Sequence, residues 1–369
     1  MAGCGERSPE NSTDLADADE SDAQGRGRIH HLHDVTCGPT RLTSYAALVP
    51  NSPTTRPLRR AWHEALYGAD GFYRQPGGPA AHFSTSAQGL PGVDELLAEC
   101  IIAIAEEHRL DQMVEIGCGR GELLALIAQR SQRLQLTGVD VVDRPAGLPA
   151  SVEWVRSPGG ESLPDELTDL RSTLVLAHEW LDVVPCEIAV TTCDGLRVLE
   201  VAPEGGSRPG RELSDREREW CEQHWPDAQA AEIGTTRDDA YRELRSRIAD
   251  GLLICVDYGH TIQDRPTDST FAGYRAGAIC EPRFDGSTDL TAHVSMDSLG
   301  VPELLQQKDI AARYLVIPDR PDHELARMDP TKYLLMLRRR SAYATFTEPA
   351  GLGAFYWSLE RVTSSDAPS

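Results

Sequence analysis

Glu115-Ile116-Gly117-Cys118-Gly119-Arg120-Gly121 decides how this 369-residue sequence folds. The apolar run Met113-Val114-Glu115-Ile116 leads into it, and a stretch of helical spacing, Glu122 to Arg130, leads out. A strand that ends in alternating glycines and opens into a helix permits positive φ and lets a ligand approach the helix N-terminus. Four further short apolar runs follow: Leu134 to Val139, Val152 to Val155, Ser172 to Ala177 and Gly251 to Val256. Each ends in polar residues or glycine. Upstream, from Asp94 to His108, Leu96, Leu97, Cys100, Ile101 and Ile104 recur at helical spacing. Strands alternating with helices predict an α/β fold on a parallel sheet, with ligands at the carboxyl ends of the strands.

Three readings of the glycine loop compete: a tight turn without a ligand, a dinucleotide site, and a site for a nucleoside that carries no phosphate. The dinucleotide fingerprint needs glycine where Glu122 stands, and a carboxylate in the first helical turn repels a pyrophosphate. Asp140 lies 23 residues after Gly117, at the end of the second run. It is placed to accept hydrogen bonds from both ribose hydroxyls. An aspartate there also serves as a turn cap. The pattern Glu115-x-Gly117-x-Gly119-x-Gly121 resembles motif I of class I methyltransferases, whose donor is S-adenosyl-L-methionine (SAM), a sulfonium cation.

Other segments narrow the resemblance. Ala177-His178-Glu179-Trp180-Leu181-Asp182-Val183-Val184-Pro185 resembles the N-E-F-x-D-A-L-P signature of the MidA/NDUFAF7-like methyltransferases. Asp257-Tyr258-Gly259 looks like that family's D-Y-G, and Asp289-Leu290-Thr291-Ala292-His293-Val294 matches its D-L-T-A-H-V. His82-Phe83-Ser84-Thr85-Ser86 is similar to its G-D-F-x-T-S-P element. The chain departs from the family at His178 (usually Asn), His82 (Asp) and Ala87-Gln88 (Pro-Glu), and resembles a divergent bacterial branch. The resemblance implies a Rossmann-like seven-stranded class I methyltransferase sheet with an added, mostly helical lobe. It implies SAM as methyl donor, held by Glu115, Gly117, Gly119, Gly121 and Asp140, with Thr85 and Ser86 beside them. For mitochondrial members it implies an arginine acceptor in a protein substrate.

A guanidinium acceptor needs carboxylates nearby, which Glu179 and Asp182 could supply. Asp257, His260 and His293 are candidates for proton removal. The expected partner is a protein or peptide, arginine-bearing in one version. A small-molecule acceptor and a non-catalytic assembly factor that keeps the fold are the alternatives. With 36 Lys plus Arg against 58 Asp plus Glu, the net charge of −22 argues against nucleic acid and anionic membranes. Nine scattered cysteines without a CxxC pair suggest a cytoplasmic protein and no zinc. His30, His31 and His33 form a short tract to which we assign no metal. The expected organisation is an acidic tail and linker over 1–55 and an N-terminal helical or lid segment over 56–110. A SAM-binding core follows over 111–260, with a helical insertion at about 193–249. The rest of the core and an accessory lobe occupy 261–361, and a tail 362–369.

Overall fold

The computed structural model describes residues 55–75, 90–202 and 206–363. The acidic tail and linker, the His30 to His33 tract, Thr85 and Ser86, and the final residues from 364 lie outside the described residues. The helices are α1 (Leu58–Tyr67), α2 (Val93–Glu107), α3 (Glu122–Arg130), α4 (Asp215–His224), α5 (Thr235–Ser246), α6 (Gln307–Tyr314), α7 (His323–Met328) and α8 (Pro330–Phe346). Seven strands make the central sheet: β1 (Gln112–Ile116), β2 (Gln135–Asp140), β3 (Val152–Arg156), β4 (Leu170–His178), β5 (Ile248–Asp257), β6 (Glu303–Gln306) and β7 (Tyr356–Val362). Their order is β6-β7-β5-β4-β1-β2-β3. Strands β1 to β5 pair in parallel, while β7 runs antiparallel to both β5 and β6.

The five apolar runs thus become the five parallel strands. In β4, Leu174, Val175, Leu176 and Ala177 are all fully buried, as a strand covered on both faces requires. One face packs against α2, α3, α6 and α8 through Leu97, Ile101, Ile127, Ile310 and Phe346. The other face is covered by α5, through Tyr241 and Leu244, and by the Trp180 to Val184 segment. At Gly138 in β2 a Cβ would sit 2.9 Å from both Cys118 Sγ and Leu124 Cδ1, so glycine lets the Gly117 to Gly121 loop and α3 lie directly on the strand.

The segment between β4 and α5 departs from the expected helical insertion. A hairpin forms from Glu187–Thr192 and Gly195–Val201, with Gly195 at φ 108°. It is the centre of a five-stranded antiparallel sheet completed by Arg56–Pro57, Ala230–Ile233 and Ser207–Glu212. Both helices within 193–249, α4 and α5, form as helices, and α5 is also the crossover that returns the chain to β5. Ser214 opens α4 with a capping box: its side chain accepts from Glu217 N–H, and Glu217 accepts from Ser214 N–H at 2.8 Å. The strand Ser207–Glu212 escaped notice because Ser-Arg-Pro-Gly-Arg-Glu has no apolar alternation. It is an edge strand, where proline is tolerated.

Candidate functional site

The strand order switches direction between β1 and β4, and a cleft opens at their carboxyl ends. It contains about 1370 Å³ of space free of protein atoms, its open mouth included. The glycine loop forms one wall, with Gly117, Gly119 and Gly121 at φ 67°, 60° and 76°, values that favour glycine at all three positions. A side chain on Gly119 would point into open space with only Glu122 Oε2 nearby, at 3.6 Å, so a ligand can reach the backbone there. Asp140 ties the loop down: Oδ2 accepts from Gly119 N–H at 2.8 Å and Oδ1 from Val142 N–H at 3.2 Å. Glu122 turns back to accept from Arg120 N–H at 3.1 Å.

This half of the cleft is acidic. Glu115 is 4% exposed, and its Oε2 has no hydrogen-bond partner. Burial, with Glu122 and Asp140 adding repulsion, pushes its carboxyl up to about 8. Burial also lifts Asp140 to about 6, against the pull of the Val142 and Gly119 amides. A buried Glu115 carboxyl raised for want of a counter-charge, with the Asp140 carboxyl beside it, fits a cationic ligand and opposes a pyrophosphate. The Asp140 carboxyl on the cleft wall, the open glycine backbone and the unpartnered Glu115 oxygen therefore fit a positively charged nucleoside.

The other half is built from β4, the segments after β5, and the α1 region. Glu179 follows β4 at φ 52°, a left-handed conformation rare for non-glycine residues, and its N–H is held by Val256 O at 2.8 Å. Beside it, burial pushes His178 down to about 4, so this histidine carries no charge at neutral pH. Asp182 Oδ2 accepts from Thr291 Oγ1 at 2.7 Å and from the Tyr258 hydroxyl. Tyr73 donates to Asp289 Oδ1 at 2.7 Å. Burial lifts Asp289 to about 8, with Asp182 adding to the rise and the Tyr73 hydrogen bond opposing it. Tyr67 and Tyr274 complete the wall.

Of the candidate residues, Glu115, Gly117, Gly119, Asp140, Glu179 and Asp182 are brought together on this one cleft, while Gly121, which closes the loop at the start of α3, packs against Leu148 and Trp154 instead. Asp257 and His293 are not among the residues that line it. Asp257 is fully buried behind the wall, accepting from Leu181 N–H at 3.0 Å. The His293 ring packs edge-on against Tyr258, 5.2 Å between centroids. His260 is also buried, beside Arg265, whose guanidinium lies 2.7 Å from its Nδ1; burial first, then that charge, push it down to about 2. The sequence motifs contain Asp289, Thr291 and Tyr258 without giving them a role, and Tyr73 and Arg237 carry no sequence signal at all. The buried Arg237 of α5 donates to the carbonyls of Asp182 (2.8 Å), Val184 (3.1 Å) and His293 (2.8 Å), clamping two site segments together. Among the described residues no cluster of His, Cys, Asp or Glu is arranged to hold a metal ion, and no helix is long and apolar enough to cross a membrane.

Residues 125–307 match a protein family described as "Putative S-adenosyl-L-methionine-dependent methyltransferase". No curated protein matches the chain. Among solved structures, it is similar to a COG1565 superfamily protein of Burkholderia thailandensis bound to S-adenosyl-homocysteine. The TM-score is 0.64 at 18% identity, over 85% of this chain and 91% of that one. A native structure of a COG1565 superfamily protein from the same organism gives TM-score 0.64 and 18% identity over 85% and 88% of the two chains. At that identity the likeness establishes the fold. The family match indicates a SAM-dependent methyltransferase.

Proposed function

We propose that this SAM-dependent methyltransferase transfers its methyl group to a nitrogen of a protein side chain, with the guanidinium of arginine as the preferred acceptor. The observation that carries the proposal is the wall opposite the glycine loop. Three carboxyl groups, Glu179, Asp182 and Asp289, stand there among four tyrosines in a largely buried setting. Carboxylates supply charge-assisted hydrogen bonds to a planar cation, and the aromatic faces favour the same charge. A neutral acceptor would leave these groups without a counter-charge.

On the donor side, Asp140 would hold the ribose and the Gly117 to Gly121 backbone the rest of the nucleoside, with Glu115 and Glu122 facing the positive charge. Bound SAM supplies an electrophilic methyl on a cationic sulfur. The chain's own residues then have two tasks: to hold the acceptor nitrogen in line and to receive the proton that the methyl displaces. Glu179 borders both halves of the cleft and is the proton acceptor in this reading.

Incubating the purified protein with radiolabelled SAM and cell lysate is expected to place label in a protein fraction, on arginine after hydrolysis. Label confined to small molecules would overturn the protein acceptor. SAM binding without any transfer would favour a non-catalytic docking role. Glu179→Gln is expected to lower label transfer about a hundredfold, the low end of the usual range for loss of one general base, while SAM affinity by calorimetry changes by less than about threefold.

A further inference from the structure

Far from the cleft, α7 and α8 leave apolar side chains bare. Among the described residues seven large apolar side chains are exposed, and six of them fall between positions 316 and 337: Val316, Ile317, Met328, Leu334, Leu335 and Leu337, at 37% to 82% exposure. Single exposed apolar residues are ordinary, but a cluster of this kind marks a contact surface. The six lie together. Met328 ends α7 two residues before α8 begins, the His323 and Tyr333 rings stand 6.4 Å apart between the two helices, and Arg340 of α8 donates to Pro318 O at 3.0 Å, which ties the Val316 to Pro318 turn to α8.

The pair of helices is anchored at one end. In α8 the buried residues are Ala342 and Phe346, near its C-terminus, where Arg339 pairs with Glu99 of α2 at 2.7 Å. No residue of α7 is buried, and none of α8 before Ala342. Helices this short are marginal in water unless an apolar surface packs on them.

We propose that α7 and α8 form the contact face of a two-fold dimer, in which α8 of one copy packs antiparallel on α8 of a second copy around Leu334 and Leu335. Size and charge both favour a second copy as the occupant. The six side chains expose on the order of 700 Å² of apolar surface, above the about 300–600 Å² of a typical monomer's largest patch and near the roughly 800 Å² that each partner contributes to a stable interface. The whole chain carries a net charge of −22, so acidic faces of two copies repel.

Residues 316–340 depart from that excess, with Arg320, Arg327, Lys332 and Arg338 to Arg340 against Asp319, Asp322, Glu324 and Asp329. The signs are also ordered along the stretch. All four acids precede Pro330, whereas Lys332 and Arg338 to Arg340 follow it. Turning one copy end for end over the other therefore sets the acidic end of each beside the basic end of its mate, the self-complementarity that an isologous contact requires. Because Arg338 and Arg339 already hold Glu95 and Glu99 of α2, Lys332 and Arg340 are the cations offered to the second copy. A uniformly acidic partner would instead meet the four acids.

Sedimentation velocity of the full chain from about 1 to 100 µM should show a monomer–dimer equilibrium, with dimer prevailing at the upper end. Leu334→Glu enters a symmetric interface twice, so a tenfold cost per copy becomes about a hundredfold in the dissociation constant. Its SAM affinity should be unchanged, since no residue of α7 or α8 lines the cleft. A wild type that stays monomeric at the highest concentration would overturn the proposal, and so would a dimer that Leu334→Glu leaves intact. Should the variant misfold, amide exchange of the wild type gives a second reading. Protection of α8 over residues 330–341 should rise with protein concentration. Protection that does not change would overturn the dimer, whether another part of the same chain covers this face or nothing does. None of these readouts depends on the identity of the methyl acceptor.

Discussion

Replacing Asp140 by alanine is expected to weaken SAM binding about a thousandfold while leaving the fold in place. Two losses combine. The carboxylate accepts from Gly119 N–H at 2.8 Å and Val142 N–H at 3.2 Å, so its removal frees the centre of the glycine loop. In the proposed mode of SAM binding it also removes the acceptor for two ribose hydroxyls. Hydrogen bonds to a charged group each contribute about 1.5–3 kcal/mol, and two of them account for roughly three orders of magnitude. Asp140 sits at the end of β2 on the cleft wall, with no role in the hydrophobic clusters, so the melting temperature should move by only a few degrees. Asp140→Asn keeps one acceptor oxygen and should fall between, at about thirtyfold. Calorimetric titration with SAM reads all three proteins. An affinity of Asp140→Ala within about tenfold of wild type would remove the ribose from this position.

The residues that proved legible in the sequence are those whose partners are close along the chain. The glycine loop, β1 and α3 are consecutive, and Asp140 reaches back only 21 residues to Gly119. The five parallel strands were readable because burial on both faces leaves continuous apolar runs. The strand β7 could have been read as well, since Trp357 and Leu359 alternate with Ser358 and Glu360 in its core. What was hidden depends on long-range packing. Tyr73 meets Asp289 across 216 residues, and neither is unusual locally. Arg237 lies in Thr-Thr-Arg-Asp-Asp, which reads as a solvated helix face, yet it is 2% exposed. Its three carbonyl partners come from segments that only the folded chain places side by side.

The two aspartates of the D-Y-G and D-L-T-A-H-V segments illustrate the same limit. Both segments stand out through resemblance, and the sequence makes Asp257 a candidate for proton removal. In the structure Asp289 faces the cleft and Asp257 stands behind it. Position in a motif does not specify which way a side chain faces, because that depends on which neighbouring segment covers it. Asp257 is covered by the turn whose Leu181 amide it accepts. Asp289 is left on the cleft wall, hydrogen-bonded to a tyrosine from the segment after α1.

The acidity of the donor half makes SAM affinity depend on pH in a definite direction. Without ligand, Glu115 is held up to about 8 and Asp140 to about 6, chiefly by burial. SAM is a net cation, and its charge favours the ionised form of both groups, lowering these values in the complex. Binding therefore releases protons, and affinity rises with pH as each carboxyl in the free protein passes from acid to anion. At pH 6 most Glu115 would need to lose a proton before the cation could bind, whereas above pH 8 little would. The dissociation constant is expected to fall close to tenfold per pH unit between about pH 6 and 8, roughly a hundredfold in all. Calorimetry in buffers of different ionisation heat should record nearly one proton released per SAM at neutral pH. Glu115→Gln should bind more weakly above pH 8 and lose most of the slope, leaving the shallower contribution of Asp140 near pH 6. A wild-type affinity that stays flat from about pH 6 to 8 would show that the positive charge lies away from Glu115, and would place the sulfonium elsewhere in the cleft.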